Sequence, residues 1–489
     1  MMNAIKPAAI KTALEQYFGG HFLQILNAFL MVVVFFSGKF SFARFLDESA
    51  RVPWLELRIW AILGIFVSMI FLKENRKDLF KMERGVLFFF GTYAVFLTYV
   101  FINLFNWGTE THRNDLVYDS LVVIASLILI SIQFKDEQGI VRFCKAAELF
   151  GGVLFMLCLV GFGNPDLNGS GWAPFGGPIT FYRIEFFVFC AAVFLAFKST
   201  KRREQVVHLL FAVVTLYSTF ASLSKMATAA AMLAIVYLTY ILVSKGDYKK
   251  AGLLVLSGVV TFTLFVKTFG TRFVGRINEI SNISVEKSAS SEVVFIPDNV
   301  KLLYRNDLKF EELSVDQKKK MISVGSFFYD NYPNYQEEFA GFLRFVDRYA
   351  IIYDGSARLR MWMEAFDLFK AHRWFGGGVG NYSYTELNYY AKGGMETYRY
   401  PHNIFFELVS TTGLVGLALF GLCLFVFLVL VSRAVDKFPA FVFLQGYMLF
   451  VFLTSMFAGD LFDFKIFWFM GCALISSARS TLSNGGINS

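Results

Sequence analysis

The chain has 489 residues, 56% of them hydrophobic, with 60 Phe, 22 Tyr and a formal net charge of +8. Mean hydropathy is +0.52. Soluble domains are about 45–50% apolar, so a string of soluble domains is excluded and a polytopic membrane protein is expected. The excess positive charge lies in short connections between apolar runs, the mark of cytoplasmic loops and not of a nucleic-acid binder.

Lys6 and Lys11 precede an apolar stretch beginning near His21, and no small-x-small cleavage site follows. An uncleaved first span is expected. A spanning helix needs about 20 apolar residues. Candidate spans are 20–38, 56–72, 85–104, 116–133, 146–162, 179–197, 205–221, 226–243, 251–267, 412–432, 438–457 and 461–477. The fold class expected is therefore all-α, with about twelve transmembrane helices. The even-numbered connections are basic, among them "KENRKDLFKMER", "KSTKRREQ" and "SRAVDK". The short odd-numbered ones are poorer in Lys and Arg, and "GNPDLNGSGWAPFGGP" and "AGDLFD" have none. This alternation predicts that both termini are cytoplasmic.

Three regions are expected: residues 1–267 with spans one to nine, a long outward loop at 268–401, and residues 402–489 with the last three spans. Within the loop, "SVEKSASSEVVFIPDN" looks irregular. Two amphipathic helices follow, one through Phe339, Phe342, Leu343 and Val346, the other through Leu359, Trp362, Met363 and Phe366. Such helices lie on a membrane or cap a bundle. The five cysteines lie in or beside apolar segments without metal spacing, and a disulfide framework is not expected.

There is no P-loop, no dinucleotide fingerprint and no paired-histidine metal motif, so no cofactor and no metal is expected. Polar groups gather instead on the outer side. His402 and Asn403 stand where the long loop returns to the membrane. An imidazole there suits general-base work, or else caps the following helix. Arg358 is free to bind an anion, or to lie over Trp362 four residues on. Arg360 has Glu364 at i+4, the spacing of a surface ion pair. Lys225, in "SLSKMATAA", either snorkels to the interface or faces a ligand. Arg183 lies about a turn inside the sixth span, where a charge needs a polar cavity or partner. Lys225, Arg358 and Arg183 around one histidine suit a phosphate or pyrophosphate carried by a lipid. The glycines of "APFGGP" and "RWFGGGVGNYSY", including Gly378 and Gly380, supply either N–H groups for an anion or plain turns.

The order Ser224-Lys225, long loop, Arg358 to Trp362, Gly378-Val379-Gly380, His402-Asn403, then Gly413 and Gly416 resembles the O-antigen polymerase and O-antigen ligase superfamily of bacterial envelope glycosyltransferases. The resemblance implies metal-independent, inverting transfer of glycan from undecaprenyl pyrophosphate at the periplasmic face of the inner membrane. It implies that Lys225 and Arg358 hold the pyrophosphate and that His402 activates or orients the acceptor hydroxyl. The implied partners are lipid-linked oligosaccharides and membrane lipid, with room for a chain-length regulator protein. Two positions depart from the family pattern: Lys225 replaces the commoner Arg, and Thr411 stands where an acidic residue is frequent, with Glu407 four residues earlier. "PHNIFFELVSTTGLVG" looks more like the polymerase versions, so polymerase is expected ahead of ligase. A lipid-glycan transporter is the reading from another class, but such folds show two related halves with midplane sites, and no internal repeat is visible here.

Overall fold

The structure, a computed structural model, describes residues 7–36, 56–71, 82, 84–108, 113–160, 178–285, 292–295, 302–305, 357–384, 400–458, 461 and 464–478. They form a helical bundle: α1 (Pro7–Phe18), α2 (Phe22–Phe36), α3 (Leu57–Phe71), α4 (Arg84–Asn106), α5 (Arg113–Gln133), α6 (Glu137–Leu159), α7 (Pro178–Lys198), α8 (Arg202–Ala221), α9 (Lys225–Ser244) and α10 (Tyr248–Val285). After a two-stranded hairpin, β1 (Glu292–Phe295) and β2 (Leu302–Arg305), come α11 (Ala357–Ala371), α12 (Ile404–Lys437), α13 (Val442–Ala458) and α14 (Lys465–Ser477).

A helix coincides with each of the twelve expected stretches. By length and composition the count is lower: eight described helices can cross a membrane, or nine if α1 and α2, bent by 70° between them, make one span. The chain is a multi-pass membrane protein. α3 and α14 are short apolar helices. α6 falls outside the set because its first half carries Arg142, Lys145 and Glu148. Those charges tie elements together. Arg142 donates to the Gly19 carbonyl at 3.3 Å and Lys145 to the Tyr17 carbonyl, which fastens the end of α1. Glu148 meets Nδ1 of His208 on α8 at 2.8 Å, and both are buried.

α7 is the centre of the bundle. Phe181 to Ala196 are all buried, the condition of a helix surrounded by others, and the stretch includes Arg183 and Glu185. It packs on α6, α8 and α13. Phe186 on Phe450, Phe194 near Phe441 and Phe197 on Phe443 run in opposite chain directions, so α7 and α13 are antiparallel. The short turns 199–201 and 222–224 then make α8 antiparallel to α7 and α9 parallel to it. The start of α7, the end of α8, the start of α9 and the end of α13 therefore share one end of the bundle. A separate buried ion cluster joins α3 to α5: Arg58 meets Glu56 at 2.6 Å and Asp119 at 2.7 Å.

Two expectations for the long loop need correction. "SVEKSASSEVVFIPDN" is not irregular throughout: α10 runs on to Val285, and Glu292–Phe295 pairs antiparallel with Leu302–Arg305. "EVVF" is rich in β-branched and aromatic residues and "LLYR" carries Tyr304, which suits a pleated ribbon. The second amphipathic helix is α11, but its buried side carries Glu364 and Ala365, while Phe366 is exposed. Its partner is α12, so the side turned inward is set by that contact. Glu364 is accordingly not a surface group. The first amphipathic helix and residues 173–177 of "APFGGP" lie outside the described residues. All five cysteines are buried free thiols.

Candidate active site

His402 takes a left-handed backbone, φ 54°. This region is uncommon for a residue with a Cβ, although histidine is among those enriched there. The residues on either side are anchored. The Pro401 carbonyl accepts the indole N–H of Trp362 at 3.1 Å. Asn403 caps α12, its Oδ1 accepting the N–H groups of Phe405 at 2.9 Å and Phe406 at 3.1 Å. Its Nδ2 donates to the Met456 carbonyl at 2.6 Å. Of the two roles open to the His-Asn pair, the capping role belongs to Asn403. The imidazole is half-buried, with the Tyr400 ring 4.4 Å from it, centroid to centroid.

α12 is not one continuous helix. Gly413 has φ 67° and ψ −165°, which divides an outer piece, 404–412, from the long helix that follows. Such a break strands backbone groups that need partners inside a membrane protein. The loop after α11 provides them. Gly377 and Gly378 N–H donate to the carbonyls of Ser410 at 2.8 Å and Thr411 at 3.0 Å. Leu414 and Val415 N–H donate back to Arg373 at 2.9 Å and Trp374 at 3.1 Å. From α4, Tyr99 donates its hydroxyl to the Thr412 carbonyl at 2.7 Å. Asn103 accepts the Val379 N–H at 2.8 Å and donates to the Phe375 carbonyl at 2.7 Å. A Cβ on Gly413 would stand 2.5 Å from the Trp374 carbonyl oxygen, so glycine is needed for the approach as well as for the φ. The N–H groups of Gly376 through Val379 thus bond within the protein, and the glycine run serves as the other half of the α12 joint. Gly380 closes the same turn at φ 87°.

Arg183, buried on α7, points a guanidinium nitrogen at Ser455 Oγ, 3.4 Å away. Ser455 immediately precedes Met456, whose carbonyl holds Asn403. Two adjacent residues of α13 therefore join Arg183 to the His402 segment. Lys225, half-buried, opens α9 behind its cap Ser224, whose Oγ accepts the Ala227 N–H at 3.3 Å. The antiparallel arrangement brings it to the same end as Arg183 and Ser455. Arg358 and Arg360 lie in the first turn of α11, ahead of Trp362. Glu407, buried in the outer piece of α12, accepts the Leu461 N–H at 2.8 Å and so ties that piece to the α13–α14 connection.

Three contributors to the site were not evident from the sequence: the Trp362 N–H, the Ser455–Met456 step, and the Tyr99/Asn103 pair. The last had a signal, since two polar groups four residues apart share one face near the end of an apolar helix. Among the described residues no group of three or more His, Cys, Asp or Glu could hold a metal ion. Chemically, the arrangement offers one imidazole at the bundle end, buried or half-buried cations on α7 and α9, and a helix bearing two further arginines docked against the histidine segment.

Residues 210–421 match the model of the O-Antigen ligase family. The matched stretch contains Lys225, Arg358, Trp362, Gly378, Gly380, His402, Asn403, Gly413 and Gly416, and leaves Arg183 outside. The likeness to the O-antigen polymerase and ligase superfamily drawn from those motifs is borne out. No match to the chain was found among the curated proteins.

Proposed function

We propose that the chain is an O-antigen or related surface-polysaccharide polymerase that joins undecaprenyl-pyrophosphate-linked repeat units by inverting glycosyl transfer. The observation that carries this reading is the family match over 210–421, inside which His402 and Lys225 come to one end of the bundle. In the reaction an acceptor hydroxyl oxygen bonds to the donor's anomeric carbon as that carbon's bond to pyrophosphate oxygen breaks. His402 takes the hydroxyl proton. Lys225, Arg358 and Arg183 balance the charge that grows on the leaving undecaprenyl pyrophosphate, the kind of preorganised stabilisation that lowers such barriers most. Asn403, Gly378 and Gly380 support the framework, and Arg360 is assigned a structural part.

The same reading sets the chain in the bacterial inner membrane with twelve crossings, both termini cytoplasmic and the site facing the periplasm. The three regions are then 1–267, the periplasmic segment 268–401, and 402–489. The alternation of basic connections supports this orientation.

Ligase activity, transfer of the glycan to lipid A core, is the second reading, since the matched family covers both activities. Reconstitution separates the two. Purified protein in vesicles receives synthetic undecaprenyl-pyrophosphate-linked repeat units, with and without lipid A core. A ladder of longer lipid-linked glycans is the result expected. Product only when core is present assigns ligase. Glycan moved across the bilayer with no new bond removes both and assigns a transporter. Loss of product in His402→Ala, with the protein still inserted, is expected of the base.

A further inference from the structure

Trp362, on α11, reaches the segment carrying His402 through a side-chain hydrogen bond. Its Nε1–H donates to the Pro401 carbonyl at 3.1 Å. Its ring stacks on Phe406, in the first turn of α12, at 5.4 Å and 18°, and lies 6.0 Å from Phe457 of α13. The Pro401 carbonyl belongs to the peptide unit that leads into His402. Turning that carbonyl therefore turns the backbone about the bond that sets His402 at φ 54°. Left-handed backbone at a side-chain-bearing residue persists where its surroundings hold it. Here the peptide before His402 is held from α11 and the residue after it from α13, through Asn403 and the Met456 carbonyl.

We infer that Trp362 is a positioning residue: its indole N–H fixes the direction of the His402 imidazole, and with it the alignment of His402 to the helix that carries Arg358. Arg358 stands four residues before Trp362 on α11, one helical turn away. One hydrogen bond thereby sets both the base and the arginine's helix in a common frame. The inference rests on His402 being the base. The alternative is that Trp362 only packs, in which case its ring matters and its N–H does not.

The two are separated by Trp362→benzothienylalanine, where sulfur replaces the N–H and the ring survives, by Trp362→Phe, and by Phe406→Leu, which removes the stack and keeps the N–H. All are assayed in vesicles with the synthetic lipid-linked repeat unit. The analogue is expected to lower kcat by about 10- to 100-fold, the size of effect a small misplacement of a reacting group produces. Donor KM should stay within about twofold, because binding common to ground and transition states is untouched. The thermal midpoint of the analogue should match that of the parent, and Phe406→Leu should keep most of the turnover. Parent-like kcat in the analogue, or an equal loss in Phe406→Leu, overturns the inference. If His402→Ala itself retains turnover, the reading of His402 as base fails first. If His402→Ala is inactive while the analogue is unimpaired, only the role of Trp362 fails.

Discussion

Asn403 Nδ2 donates to the Met456 carbonyl at 2.6 Å while Oδ1 of the same side chain caps α12, so one amide joins two helices beside His402. Aspartate separates the two jobs. It is as good a cap as asparagine, but it sets an oxygen against the Met456 carbonyl. Asn403→Asp is expected to cost about 2 kcal/mol, the scale of an unsatisfied buried acceptor. Asn403→Ala loses both functions and should cost more. Thermal unfolding in detergent gives the ranking. Equal stability for Asn403→Asp and the parent would mean that the Met456 bond contributes nothing.

Gly413 and Gly376 face each other across the break in α12. A Cβ on Gly413 would lie 2.5 Å from both the Trp374 carbonyl oxygen and the Gly376 nitrogen. Both glycines have φ near 70–80°, at 67° and 77°. Left-handed backbone alone costs a non-glycine residue about 1–2 kcal/mol, and the clash with backbone adds to it. Gly413→Ala and Gly376→Ala should each destabilise by more than about 2 kcal/mol. Gly421→Ala, in the helical part of α12 with open space around it, should be neutral or mildly stabilising. A fluorescence melting series of the three variants decides, and equal behaviour would refute the joint.

The helices were legible in the sequence because a bilayer admits only long apolar stretches, and lipid punishes exceptions. The α12 break was not legible. "STTGLVG" reads as an ordinary continuation until the 373–380 loop supplies its hydrogen-bond partners, and that pairing is a tertiary fact. Glu364 and Phe366 failed for a related reason. Helical spacing identified the stripe, but the side turned inward depends on where α12 lies. The order of Lys225, Arg358 and His402 was visible as a motif, whereas the links from α11 and from Arg183 to the His402 segment run through one indole N–H, one hydroxyl and one carbonyl with no pattern of their own. Arg142, Lys145 and Glu148 show the opposite case: visible charges whose partners, α1 and His208, lie elsewhere in the chain.

Glu148 and His208 form a buried pair, 2.8 Å apart. Removing one member strands the other in a low-dielectric interior, while replacing both with neutral groups is tolerated. His208→Leu should therefore destabilise by about 3 kcal/mol. Adding Glu148→Gln, which removes the stranded charge, should restore most of that loss. The double variant tests coupling directly: additive losses in a double-mutant cycle would show that the two residues act independently.

Arg358 and Arg360 stand two residues apart on α11, a spacing that i,i+3 and i,i+4 partners do not share. Arg358 is four residues before Trp362, the spacing of about one helical turn. Arg360 is four residues before Glu364. If Arg358 holds the pyrophosphate, its loss removes charge-assisted hydrogen bonds worth about 1.5–3 kcal/mol. Arg358→Ala should then lower kcat/KM for the lipid-linked donor by about 10- to 100-fold. Arg358→Lys should recover only part, because a lysine keeps the charge and loses the bidentate fork. Arg360→Ala should stay within about threefold, as expected for a residue outside the donor site. The assay compares all three in vesicles at matched protein insertion, with donor concentration varied. A larger loss for Arg360→Ala than for Arg358→Ala would move the donor site to the other face of α11 and away from His402.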